Sequence, residues 1–284
     1  MAKKPELSTN AAPTWCPGCY NFFILKAVQN VLEKMIKQGK LKQENIVMAT
    51  GIGCHAKIFD YLNVGGVYSL HGRTIAAALG MKLGNPNLTV FGFGGDGDTY
   101  DEGVSHFVHN CRYNADINMI VHNNQIFALT TGQGTATSEE YAVTKAQPEG
   151  LKIKPMNPIA VALELGATFV ARAFAGDMEH MTKIIEEAVK HKGFSLIDIL
   201  QPCLIFHNKL ESMNKQFYKL EDKKHDFKNL DLALKKAREW DYEDEKSGIP
   251  LGIFYKVREP TLNEKLSNQK KLMEKGKGWF QVKR

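Results

Sequence analysis

Two short apolar runs, each closed by residues able to hold a metal ion, constrain this chain more than anything else in it. Leu88 to Phe93 (LTVFGF) has strand composition and stops at Gly94-Gly95-Asp96-Gly97-Asp98. Ile117 to Val121 (INMIV) is a second such run, and Asn123-Asn124 follow it. Between them Asp101 to Tyr113 is long enough for a helix, with acidic residues in its first turn. This order predicts a β-α-β unit with parallel strands. Parallel strands end on one edge of a sheet, so Asp96 and Asn124 are expected to meet there. A carboxylate and an amide oxygen beside glycine-exposed amides and a helix N-terminus suit a magnesium ion carrying a diphosphate.

Gly92-Phe93-Gly94-Gly95-Asp96-Gly97 also fits the GxGxxG pattern of dinucleotide sites. That pattern asks for an acidic residue about 20 positions on, at the end of the second strand. Asp116 has the spacing but precedes the strand. An aspartate inside the glycine loop also repels a dinucleotide's diphosphate unless a metal intervenes. A ligand-free glycine turn accounts for Gly97 but for neither Asp96 nor the paired asparagines. The metal–diphosphate reading accounts for all of them.

Other strands and helices follow the same alternation. Tyr20 to Gln38 has helical periodicity, Gln43 to Thr50 contains a short strand, and Arg73 to Leu83 is a small-residue helix. Ala167 to Ala171 and Phe194 to Leu200 read as strands, and Met178 to His191 as an amphipathic helix. The expected fold is α/β, doubly wound, with a mostly parallel sheet. Two regions are expected: 1–207 as the ligand-binding domain, and 208–284 as a charged extension, lysine-rich and helical to Lys246, facing a partner.

The cysteines point to a second centre. Cys16-x-x-Cys19 brings two thiols close together, and Cys54 and Cys203 each follow a strand, on the sheet edge expected for Asp96. Four thiolates there suit a 4Fe–4S cluster, while zinc remains open from the ligands alone. Cys111, inside a predicted helix, reads as a packing residue. His106, His109 and His122 have no spacing that argues for a metal.

The spacing of Asp96 and Asn124 resembles the GDG…NN signature of thiamine-diphosphate enzymes. Trp15-Cys16-Pro17-Gly18-Cys19, Gly51-Ile52-Gly53-Cys54, His71-Gly72-Arg73, Gly95-Asp96-Gly97-Asp98, Thr131-Gly132-Gln133 and Gln201-Pro202-Cys203 occur in this order. Together they resemble the β subunit of a 2-oxoacid:ferredoxin oxidoreductase, over about residues 12–207 and more weakly through 249–255. The resemblance implies the thiamine-diphosphate-binding type of fold, and oxidative decarboxylation of a 2-oxoacid to acyl-CoA and CO2. Electrons would pass through a 4Fe–4S cluster on Cys16, Cys19, Cys54 and Cys203 to ferredoxin. Asp96, Asn124 and the Ile126 carbonyl would hold magnesium. Gly53, Cys54, His71, Gly95, Gly97, Asp98, Leu129 and Thr130 would line the cofactor, Asp98 reading also as a helix N-cap. Lys57, His71, Arg73 and Thr130 are the candidate catalytic residues, with Lys57 placed to pair with a substrate carboxylate.

Phe127-Ala128-Leu129-Thr130-Thr131-Gly132-Gln133 looks closer to the 2-oxoglutarate branch than to pyruvate enzymes, although Phe127, Ala128 and Thr131 depart from it. Thiamine catalysis needs a carboxylate that activates the aminopyrimidine ring, and no second α/β unit is evident here to supply one. An α subunit is therefore expected to complete the site. The alternatives are a subunit of a non-redox thiamine-diphosphate decarboxylase or synthase, and a non-catalytic nucleotide- or metal-binding partner protein.

The net charge of +6 is spread along the chain rather than blocked, which gives no nucleic-acid signature. Met1 to Asn10 is polar, and no apolar stretch approaches a membrane span. An odd count of five cysteines without an export signal points to a reducing cytoplasm.

Overall fold

The computed structural model describes residues 5–209, 213–242, 244 and 246–269. Its strands in chain order are β1 (Ile46–Thr50), β2 (Gly65–Tyr68), β3 (Thr89–Gly95), β4 (Asn118–Asn123), β5 (Ile126–Phe127), β6 (Gln133–Gly134), β7 (Phe169–Phe174), β8 (Ser195–Leu200), β9 (Phe217–Lys219) and β10 (Ile249–Lys256). Eight of them form one sheet in the order β2-β1-β3-β4-β8-β7-β10-β9, and β5 pairs with β6 as a separate hairpin. Within the main sheet only the β10–β7 pairing is antiparallel.

The helices are α1 (Asn21–Lys37), α2 (Ile58–Tyr61), α3 (Thr74–Gly84), α4 (Val104–Tyr113), α5 (Pro158–Glu164), α6 (Met178–Lys190), α7 (Leu230–Ala237) and α8 (Leu262–Lys265). Strand alternation sends Phe91, Phe93, Ile120 and Ile197 to one face, where α1 and α6 cover them with Ile24, Val28, Leu32, Met181 and Ile185. Val90, Met119, Val121 and Leu196 face the other way, against Ile75 of α3, Phe107 of α4 and Ile159 of α5. Helices on both faces explain why β4, β7 and β8 are buried along their whole length. The expected doubly wound, mostly parallel sheet is therefore present. Cys111 is fully buried in the second of these layers, as a packing residue should be.

Two local expectations change. The segment expected as one helix from Asp101 begins as a π-helical turn, Gly97–Glu102, and becomes α-helical only at Val104. The lysine-rich stretch after residue 207 is not continuously helical: it contains β9 and the eight-residue α7. With β10, β9 completes the main sheet, so residues beyond 207 share the core as well as the surface. Charge patterning marks solvated faces, but strand pairing depends on contacts distant in sequence, which charge does not encode. Among the described residues, no helix is long and apolar enough to cross a membrane.

Candidate active site

β3 and β4 run side by side, with Gly95 opposite His122, so their C-terminal ends deliver Asp96 and Asn124 to one cleft of about 480 Å³, open mouth included. All the residues assigned to the cofactor by sequence line this cleft, including Gly53, Cys54, His71, Leu129 and Thr130. Asp96 is 2% exposed. Its Oδ2 accepts hydrogen bonds from Thr135 Oγ1 at 2.6 Å and Thr137 Oγ1 at 2.9 Å. Burial pushes its carboxyl up to about 7 against the pull of those hydroxyls, and no cation among the described residues pairs with it. A buried carboxylate without a counter-ion is a candidate ligand for a hard cation such as magnesium.

The turn after β4 presents the other two proposed ligands. Asn123 Oδ1 accepts from Gln125 N (3.3 Å), and Asn124 Oδ1 accepts from Ile126 N (3.1 Å). These consecutive Asx turns hold Gln125 at φ 59°, a left-handed conformation that costs a non-glycine residue energy. The asparagine pair thus shapes the turn that carries Asn124 and the Ile126 carbonyl to the cleft.

Asp98 is not the N-cap of its own helix. Its carboxylate crosses to the turn before α3, accepting from Gly72 N (2.8 Å), Thr74 Oγ1 (2.7 Å) and, at 3.4 Å, Ile52 N. It clamps the His71-Gly72 turn against the loop after β1, and the space it fills is why residue 51 must be glycine. His71 lines the cleft with its ring 5.8 Å from that of Phe127 and Nδ1 3.1 Å from Glu102 Oε2. Arg73 is exposed and bonds the Gly72 carbonyl (3.1 Å); its side chain is not brought to the cleft. Thr130 stands exposed where the cleft opens.

Sequence reasoning missed the cleft floor. His55 and His122 are both buried there, with ring centroids 6.1 Å apart. Burial, then the nearby His71, lowers His55 to about 3, and burial, then His55, holds His122 well below the usual range. Both rings are therefore neutral. A Cβ at Gly53 or Gly95 would come within 2.9 or 2.8 Å of His55, which explains both glycines. His122 was set aside for want of a metal spacing. The available signal was its place at the end of a strand that runs into the asparagine pair.

A second cavity, of about 760 Å³ with its mouth, adjoins the first. Cys16, Cys19, Cys54 and Cys203 all line it, as do Trp15, Lys57 and the exposed Leu204, Ile205 and Phe206. The Cys16–Cys19 turn closes through Cys19 N to Cys16 O (3.0 Å), with Gly18 at φ 76°. Trp15 Nε1 donates to the Cys54 carbonyl (2.6 Å), and paired backbone bonds of 2.9 Å tie Cys203 to His207. Burial pushes the Cys54 thiol up to about 11, with the neighbouring thiols adding to the rise, and burial raises Cys19 as well. Lys57 Nζ donates to Thr14 O (3.0 Å), so Lys57 belongs to this cavity rather than to the cleft. Cys54, Asn124, Ala128, Leu129 and Gln201 line both cavities and form the partition between them.

A doubly wound sheet with a buried Asp-Gly turn and an Asn-Asn turn meeting at one cleft at the strand ends defines an α/β domain of the thiamine-diphosphate-binding class. The family profile "Thiamine pyrophosphate enzyme, C-terminal TPP binding domain" matches residues 51–199, and the profile of the C-terminal part of the pyruvate ferredoxin oxidoreductase beta subunits matches residues 207–271. The chain is 42% identical to the 2-oxoacid:ferredoxin oxidoreductase subunit beta of Saccharolobus solfataricus, over 85% of this chain and 81% of the relative. It is 38% identical to the 2-oxoglutarate synthase subunit KorB of Archaeoglobus fulgidus, over 69% and 72%. A solved 2-oxoglutarate:ferredoxin oxidoreductase from Magnetococcus marinus, with 2-oxoglutarate, coenzyme A and succinyl-CoA bound, superimposes with a TM-score of 0.86 at 30% identity, over 97% of this chain and 91% of that one. The chain belongs to the β subunits of the 2-oxoacid:ferredoxin oxidoreductases.

Proposed function

We propose that this β subunit holds magnesium and thiamine diphosphate in the cleft and a 4Fe–4S cluster in the cysteine cavity, for the oxidative decarboxylation of a 2-oxoacid to acyl-CoA and CO2. The observation that carries this reading is the shared partition: Cys54 lines both cavities, so the electron donor and its first acceptor would be neighbours. When bound, thiamine diphosphate supplies the electron sink that lets CO2 leave. Asp96, Asn124 and the Ile126 carbonyl would offer magnesium hard oxygen ligands, and His71 and the glycine-exposed amides, which line the same cleft, would bind the diphosphate.

The cysteine donor set fits a cluster better than a single ion. Among the described residues no three His, Cys, Asp or Glu side chains stand close enough to hold one ion, yet four thiols ring one cavity. An iron–sulfur cube spreads its thiolates farther apart than zinc does. The raised Cys54 and Cys19 thiols would be deprotonated by the metal they bind. The proposed magnesium set is of another kind, mostly asparagine and backbone oxygens.

2-Oxoglutarate is the favoured substrate. The support is the Phe127–Gln133 segment on the rim of the cleft, and the bound 2-oxoglutarate of the solved relative. An α subunit would supply the activating carboxylate, coenzyme A would take the acyl group, and ferredoxin the electrons. The charged surface beyond residue 207 is the proposed partner face. Iron, acid-labile sulfide and thiamine are to be measured on the purified complex, made without oxygen and with iron supplied. About four irons and four sulfides with one thiamine per chain are expected for one such cluster. A colourless preparation containing thiamine would instead favour the non-redox decarboxylase or synthase.

A further inference from the structure

The centre of the sheet contains a charge pair that the site above does not use. Arg172 of β7 and Asp198 of β8 are register partners on adjacent strands, and both are 0% exposed. Arg172 Nε lies 3.6 Å from Asp198 Oδ2. Its guanidinium stands 4.9 Å from the Trp240 ring centroid and 5.5 Å from that of Phe254, and its three nitrogens make no hydrogen bond among the described residues. Desolvation cancels much of the attraction in such a pair, so stability alone is a weak reason for it.

What Asp198 touches supplies a better reason. Its Oδ1 accepts from Tyr100 Oη (3.0 Å) and from Asn123 Nδ2 (3.1 Å). An ionised carboxylate only accepts, so the Asn123 amide must turn its NH2 group to Asp198 and its oxygen the other way. That oxygen receives Gln125 N (3.3 Å) and faces Thr137 Oγ1 (3.0 Å). Thr137 Oγ1 also lies 2.9 Å from Asp96 Oδ2, so its single proton is shared between the Asn123 and Asp96 oxygens, and Gln125 Nε2 donates to the Thr137 carbonyl (2.7 Å). Burial raises the Asp198 carboxyl and Arg172 is the strongest force opposing that rise. Were Asp198 protonated it would become a donor, and the Asn123 amide would be free to flip.

We propose that Arg172 and Asp198 are positioning residues for the cation–diphosphate site: they lock the Asn123 amide, which holds the left-handed turn presenting Asn124 and Ile126 and the Thr137 hydroxyl facing Asp96. Trp240, from the segment beyond residue 207, seals the guanidinium and so ties that segment to the cleft. This inference rests on the cofactor reading of the cleft given above.

The test is calorimetric titration of thiamine diphosphate with magnesium into the assembled enzyme freed of cofactor. Arg172→Met combined with Asp198→Leu removes both charges and the acceptor, and should weaken binding about ten- to a hundredfold, as loss of supporting hydrogen bonds does at metal sites. Arg172→Met combined with Asp198→Asn keeps a carbonyl oxygen for Asn123, and should return affinity to within about threefold of native. Equal losses in the two double variants would overturn the inference, because the acceptor would then not matter. Asp96→Ala is the control for the reading beneath it. Native affinity in the Leu combination, with Asp96→Ala still deficient, overturns the positioning role alone; native affinity in Asp96→Ala overturns the cofactor reading. Should the Leu combination fail to fold, Asn123→Leu removes the locked amide directly. It should show the same loss, and native affinity there would refute the lock.

Discussion

Asp96 is a residue held against its own solvation preference. Its carboxyl, pushed up to about 7 by burial, is at odds with an unfolded-state value near 4. The folded chain without cofactor therefore keeps a proton that the unfolded chain gives up. The stability this proton provides is fully present below pH 4 and is lost as pH rises through 7. Asp96→Asn should then stabilise the cofactor-free chain more at pH 8 than at pH 5, while abolishing magnesium-dependent retention of thiamine diphosphate. Urea midpoints at the two pH values, with and without cofactor, check both halves. Lys57 makes a different demand. Its half-buried ammonium sits in the cysteine cavity, next to the partition, where it can meet the distal carboxylate of a dicarboxylic 2-oxoacid. Lys57→Ala should lower kcat/KM for 2-oxoglutarate about tenfold more than for pyruvate, a difference of about 1.4 kcal/mol for a partly screened pair. Equal losses would make it a loop-ordering residue.

At the level of elements, the strand-end positions were legible and the side-chain reach across them was not. Asp96, Asn124, Cys54 and Cys203 were placed together because apolar runs show where strands stop, and parallel strands stop together. The role of Asp98 was misjudged because its partners, Gly72 and Thr74, belong to a different turn brought near only by the fold. His55 and the Arg172–Asp198 pair left no sequence signal for the same reason: burial and register decide them. β10 was hidden by its proline and glycine, Pro250 and Gly252, which read as strand breakers in sequence, although Pro250 pairs with the edge strand β9 and Gly252 with β7. The thiol-bearing turns yield a sharp test. Alanine at Cys16, Cys19, Cys54 or Cys203 should bleach the visible absorbance and stop ferredoxin reduction. Cys111→Ala, in the core contact of α4, should cost about 1 kcal/mol of stability and leave the colour unchanged. Colour retained in any of the first four removes that residue from the cluster.

Taken whole, the molecule is half of a chemical machine. Its cleft is open, and Leu129, Ile205 and Phe206 stand exposed where it and the cysteine cavity open. Expressed without an α subunit, the chain should bind magnesium and thiamine diphosphate yet release no CO2 from any 2-oxoacid. Adding the α subunit should restore turnover, and turnover by the isolated chain would show that the missing acid lies within it. The thin partition around Cys54 has an electrochemical consequence. A thiolate that walls two compartments feels the charge in both, so the midpoint potential of the proposed iron–sulfur centre would become a function of what occupies the neighbouring compartment. Filling the cleft with an anionic diphosphate should drive that potential more negative, and neutralising it with magnesium should bring it back. Redox titrations of the same preparation with and without cofactor would show a shift. Through Cys54 the electron-accepting compartment would then register whether the diphosphate next door carries its magnesium or not.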